Sequence, residues 1–275
     1  MKKTLKKIFR SKTSLIASFL LGLVVIMAVF APLIAPYNPE KGDIIGSREP
    51  PSSAHPFGTD GLGRDIFSRI VYGSRLSLLV GLTSVALGAI VGVPLGLTAG
   101  YYGGKADMVI RSLADLMLSF PSFLLALSLV AVLGVGLKNV IVAVGVSTVP
   151  IYIRLVRGEV FSLREEDYVL AARAIGRRGP TVMTYHILRN VFPLVLIQSS
   201  IYMGMTLLYA AGLGFLGLGV QPPTPEWGTM LGEGRTYIYS SPYITIFPGL
   251  AIFLTVLAFN LLGDGLRDVF DPHLQ

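Results

Sequence analysis

The sequence predicts an all-α protein that crosses a membrane several times, and three observations carry that expectation. Of its 275 residues 52% are hydrophobic and only 14% are charged, against about 25% charged in a soluble domain. The apolar residues gather into runs of roughly 18 or more, the length a helical bilayer crossing needs. Basic residues flank those runs, which is how orientation in a membrane is set. The mean hydropathy of +0.67 agrees.

The formal net charge of +7 comes from 23 Lys and Arg against 16 Asp and Glu. In a soluble chain such an excess points to nucleic acid. Here it borders apolar segments, so no nucleic-acid partner is expected. There is no cysteine, which excludes disulfides, thiolate nucleophiles and cysteine metal sites.

Residues 1–13 hold Lys2, Lys3, Lys6, Lys7, Arg10 and Lys12, and residues 15–35 are uncharged. The apolar region of a signal peptide is usually about 7–15 residues. This longer run is read as a retained first span, closing a segment over residues 1–36. Residues 37–75 are polar, with Pro39, Pro50, Pro51 and Pro56 and equal numbers of acids and bases. They read as an irregular external loop, with a short interfacial helix over residues 65–72.

A five-span core is expected over residues 76–275. Its first helix covers residues 76–99, with Gly88, Gly92, Gly96 and Gly100 in one i, i+4 stripe. Missing side chains there let a neighbouring backbone approach closely. The neighbour is either a helix beside a solute path or another helix of the same chain. The next helix should run from Asp107 past Pro121 to residue 135, with Asp107, Arg111 and Asp115 pairing along one face. Residues 139–153 form the next span and Arg154 and Arg157 end it. A long apolar region over residues 187–219 should bend or break at its glycine-rich end. A proline-rich loop around Trp227 and a last span over residues 243–262 complete six crossings. With the N-terminus inside, inner segments carry 16 basic residues and outer ones 7, which predicts both termini inside.

Chemistry is hard to place on this chain. His55, His186 and His273 lie in separate segments without metal-ligand spacing. No GxSxG element and no GxxxxGK[ST] phosphate loop occurs. The chain therefore reads as a non-enzyme, with no cofactor or metal of its own. The span centres lack Asp, Glu, Lys and Arg, whereas ion-coupled carriers place such groups at membrane depth. The energy is expected from a docked partner.

Residues 158–181 suit such docking. Ser162 and Glu165 read as a capping box. Leu170, Ala171 and Ala172 lie in a helix with small side chains, and Gly176 takes the left-handed position that stops it. Gly179 and Pro180 start the next element. The other reading of this helix is an amphipathic segment resting on the membrane or on its own bundle.

These residues resemble the cytoplasmic signature of the ATP-binding-cassette importer permeases of the dipeptide, oligopeptide and nickel group. That signature is Glu-Ala-Ala, three residues, Gly, and a later Ile-x-x-Pro-like segment. Here it reads Leu170, Ala171, Ala172, Gly176, then Ile187 and Arg189. Leu170 replaces the glutamate and Arg189 stands where proline is common. HPFGTDGLGRD at residues 55–65, GLGFLGLGVQPPTPEWG at residues 212–228 and FPGLAIFLTVLAFNLLGDGLRDVFDP at residues 247–272 resemble the same group, in the same order. The resemblance implies a permease subunit of a multi-pass bacterial inner-membrane importer. It implies a second homologous permease, two ATPase subunits carrying ATP and Mg, and an extracytoplasmic solute-binding protein, with lipid around the spans. Short peptides are the first expected cargo and nickel chelates the alternative. A stand-alone secondary carrier is the reading from another class.

Overall fold

The computed structural model describes residues 12–270, and it is helical with no strands among them. Lys2, Lys3, Lys6, Lys7 and Arg10, used above for orientation, and His273 lie outside the described residues. Helix α1 is Lys12–Val29 and the four-residue α2 is Ala31–Ile34. The long helices are α3 (Ile66–Tyr102), α6 (Leu137–Leu163), α9 (Leu188–Phe215) and α11 (Tyr243–Phe270). Shorter ones are α4 (Gly104–Leu118), α5 (Ser122–Leu133), α7 (Asp167–Ala174), α8 (Gly179–Val182) and α10 (Trp227–Gly234).

Among the described residues four segments are long and apolar enough to cross a membrane: α3, α6, the run from α8 through α9, and α11. The α4 and α5 pair makes a fifth if it is one broken span, bent by 89°. Helix α1 is apolar but shorter, and the expected first span is interrupted at Phe30, where α2 begins.

Several boundaries differ from expectation for local reasons. Residues 65–72 do not form a separate interfacial helix. Asp65 caps Ile66–Tyr102 by accepting from the Ser68 backbone N–H at 2.7 Å, and Ile66, Ile70 and Val71 are buried. The helix expected from Asp107 to residue 135 breaks at Pro121, whose missing N–H and ring disfavour a continuous helix. Asp107, Arg111 and Asp115 do not pair with one another. Asp107 pairs with Arg157, and Asp115 with Arg154 at 3.0 Å, so the charges join α4 to α6. Helix α6 continues past Arg154 and Arg157 to Leu163. The glycine-rich end of the long apolar region does break: α9 stops at Phe215 and Gly217 has φ +79.

The core divides into several clusters of buried side chains. At the end bearing α7, Tyr152, Val156 and Val160 pack with Val169, Val182, Ile187 and Val191. At the other end, Val24, Ile66, Ile70, Leu207, Trp227 and Ile252 form a second cluster. Helix α5 covers a third against α6 and α9, through Ala126, Val130, Val144 and Leu213.

Candidate functional site

The glycine stripe is settled by its neighbours. A Cβ on Gly92 would lie 2.6 Å from Tyr152 Cβ and 2.7 Å from the Val149 carbonyl. On Gly96 it would meet Val156 Cβ at 2.8 Å, and on Gly100 Val160 Cβ at 2.7 Å. Gly88 faces Thr148. All four glycines therefore seat α3 against α6 of the same chain, where close backbone approach adds dispersion contacts. Gly145 on α6 faces Leu87 in return.

Helix α7 is built from its ends inward. Asp167 in the first turn and Arg173 in the last complement the helix dipole. Gly176 has φ +79; its N–H bonds to the Arg173 carbonyl at 2.9 Å, and the Arg177 N–H bonds to the Ala172 carbonyl at 3.1 Å. This pair of bonds is a Schellman stop. The proposed capping box is not formed. Ser162 lies in the last turn of α6, and Glu165 bonds to Arg164 at 2.9 Å. The residue before α7 is Glu166, whose extended backbone starts the helix without a side-chain cap. Helix α6 runs on to Leu163, and three acidic residues, Glu165, Glu166 and Asp167, separate Arg164 from Tyr168, so α7 starts beyond Ser162.

The two faces of α7 differ. Val169 and Ala172 are buried against Val160, Val182 and Ile187. A charge at Ala172 would thus enter the chain's own core, which corrects the expectation that this alanine faces a partner. Leu170, Ala171, Ala174 and Gly176 are exposed, and Ile175 is 76% exposed. Arg173 lies over the Tyr101 ring at 4.6 Å, and Asn190 donates to the Tyr168 hydroxyl at 2.8 Å. Arg177 and Arg178 border the exposed apolar side chains. The arrangement is an anchored helix that offers Leu170 and Ile175 outward. Arg189 is exposed near the start of α9.

The far end holds charges that sequence reading left unassigned. Asp60 accepts from Arg64 Nε at 2.6 Å and lies 3.5 Å from Arg69 Nε. Glu233 Oε2 accepts from Arg64 Nη2 and Arg69 Nη2, both at 2.9 Å. Arg69 Nη1 also reaches the carbonyls of Pro39 at 3.0 Å and Pro223 at 3.2 Å. Arg69 is 1% exposed. One guanidinium thus fastens the external loop, the start of α3 and α10. Beside it lies a cavity of about 220 Å³. Glu226 caps α10 by accepting from the N–H groups of Gly228 and Thr229, and Ser77 bonds to it at 3.2 Å. Burial pushes its carboxyl pKa up, against those hydrogen bonds. Trp227 Nε1 donates to the Ile70 carbonyl at 3.0 Å. His55 pairs with Asp65 at 2.9 Å. The only legible signal was a cluster of charges in a proline-rich loop, because their partner Glu233 is remote in sequence.

Residues 92–275 match the family model of the binding-protein-dependent transport system inner membrane component. Residues 1–51 match that of the N-terminal TM domain of oligopeptide transport permease C. The dipeptide transport system permease protein DppC of Alkalihalophilus pseudofirmus is 45% identical over 270 residues, covering 98% of this chain and 89% of that protein. The glutathione transport system permease protein GsiD of Pectobacterium atrosepticum is 46% identical over 271 residues, covering 98% and 90%. Among solved structures, the MetNI methionine ABC transporter in an inward-facing conformation aligns with a TM-score of 0.58 at 20% identity. That alignment covers 74% of this chain and 97% of the other, and it supports the fold. The family models and the near full-length relatives place this chain among the permease subunits of ATP-binding-cassette importers, in the peptide and nickel group.

Proposed function

We propose that this permease is one of two related membrane subunits of a short-peptide importer in the inner membrane of a bacterium. In this reading it crosses the membrane six times, with α1 as the first span and the α4 and α5 pair as the third. Both termini are cytoplasmic. Two ATPase subunits carry ATP and Mg, and an extracytoplasmic binding protein delivers the peptide. The names of the dipeptide and glutathione relatives support the cargo. The 16-to-7 basic asymmetry supports the orientation.

The observation that carries the coupling role is the two-faced α7. Val169 and Ala172 pack with Val160 near the end of α6 and with Val182 and Ile187 leading into α9, while Leu170 and Ile175 stay bare beyond the membrane spans. A partner that displaces α7 therefore moves the ends of two spans with it. Leu170, Ala171 and Gly176 form the ATPase-facing side, with an apolar contact at Leu170 in place of the family's glutamate.

Reconstitution tests the reading. Tagged permease should co-purify with ATPases, and proteoliposomes should take up labelled dipeptide only with ATP and the binding protein. Uptake by the chain alone would replace the importer with a secondary carrier. A cysteine at Pro50 should react with an impermeant thiol reagent in intact cells, and one at His273 should not.

A further inference from the structure

A cleft of about 430 Å³ opens where α4 breaks from α5, with Leu118, Ser122, Ile151, Arg154, Gln198 and Tyr202 among its lining residues. Its volume is within the range of small-molecule sites, roughly 300–1,000 Å³. The bend of 89° between α4 and α5 leaves the facing sides of α6 and α9 uncovered there. The geometry points to this cleft as the subunit's share of the solute path, a site for the amide and carboxylate groups of a short peptide. This rests on the importer reading above and extends it to named side chains.

The polar lining carries the argument. Many hydroxyls on these helices return to a carbonyl one turn back: Thr83 to Leu79, Thr98 to Pro94, Ser128 to Leu124, Ser200 to Leu196 and Thr255 to Ala251. Such bonds make a hydroxyl tolerable beside lipid. Gln198 has no such solution. Among the described residues its amide has no hydrogen-bond partner, and neither do the Ser122 and Tyr202 hydroxyls. Gln198 stands eight residues past Asn190 within an apolar run that reaches Phe215. That places it on the order of 12 Å into the run at 1.5 Å per residue. A free carboxamide at that depth is costly against hydrocarbon. Three unpartnered polar groups converging on one cleft place water or solute there.

The donor and acceptor set describes the solute. A carboxamide and two hydroxyls both donate and accept, which complements the N–H and C=O of a peptide group. Arg154 adds one cation at the rim. Its bond to Asp115 at 3.0 Å joins side chains that are 69% and 48% exposed, and exposed ion pairs hold weakly. A solute carboxylate can therefore take the guanidinium in exchange. No carboxylate lines the cleft, and Asp115 at its rim is paired with Arg154.

The chain has no cysteine, so single cysteines report access in the assembled complex. Gln198→Cys should react with a small hydrophilic thiol reagent. Leu196→Cys, at an exposed apolar position of similar depth on the same helix, should not. Dipeptide delivered by the binding protein should slow labelling at 198. Gln198→Leu should lower dipeptide uptake roughly tenfold, the scale of one lost hydrogen bond to a charged or strongly polar group, and Gln198→Asn should restore part of it. Labelling at 198 in the isolated subunit but not in the complex would assign this face to the partner permease and overturn the proposal. Absence of labelling in both would place the face against lipid. If the wild-type complex moves no dipeptide while Gln198→Cys still labels, the cargo reading fails and the wet cleft stands.

Discussion

The end of the molecule around Arg69 and the end around α7 use the same residue types to opposite effect. At the Arg69 end the charges point inward. Asp60, Arg64, Arg69 and Glu233 neutralise one another with little exposure, and Trp227 and Glu226 fix α10 beneath them. At the α7 end the arginines point outward, and the apolar Leu170 and Ile175 stand among them. At the first end the charges are satisfied within the chain, although Ile44, Ile45 and Tyr239 are bare at its surface. The second leaves apolar surface in water, the condition under which a partner's groove gains by covering it.

The comparison breaks most severely at Arg69. Arg69→Ala leaves Asp60 and Glu233 partly unpaired in a buried site, and removing one member of such a pair costs about 3–5 kcal/mol. Thermal melting of the purified subunit should fall sharply, and little protein should reach the membrane. Gly92→Leu comes next. Its side chain would collide with Tyr152 and the Val149 carbonyl, and overpacking costs about 1–3 kcal/mol. Co-purification with a second permease should drop as α3 and α6 separate.

At the other end the expected loss is in coupling. Gly176 has nothing within 4 Å of an added Cβ, so Gly176→Val acts through the positive φ alone, about 1–2 kcal/mol. Membrane levels should stay normal while ATP-driven uptake falls. Leu170→Ala should change stability by less than about 0.5 kcal/mol, as exposed substitutions do, yet weaken ATPase co-purification. Normal coupling in both variants would turn α7 into a membrane-surface helix.

The smallest expected effect is a pH dependence from Glu226. Burial raises its folded pKa above the ordinary 4.5. Its contribution to stability is then full below the unfolded value and is lost as pH rises through the folded one. The melting temperature of the wild type should therefore decline across that interval relative to Glu226→Gln, which lacks the titration. Parallel curves for the two proteins would remove Glu226 from the account.

Composition and run length alone determined that the chain is helical and membrane-bound, because hydrocarbon forces every backbone group into internal hydrogen bonds. The Gly176 stop and the proline start at α8 were equally legible, since each depends on one residue's backbone freedom. So was the glycine stripe, but its partner was not: a stripe records that something approaches closely and not what. Tertiary structure decided that it is α6. It also moved the start of α7 beyond Ser162 and Glu165, where one more turn of α6 won over a local capping pattern. Asp107 and Asp115 found Arg157 and Arg154 across a helix gap instead of Arg111 along their own helix. Arg69 met Glu233, 164 residues away, and Gln198 and Ser122 came to one cleft only through the break at Pro121. Local rules act over a turn or two of helix, whereas these pairings depend on how spans distant in sequence lie side by side.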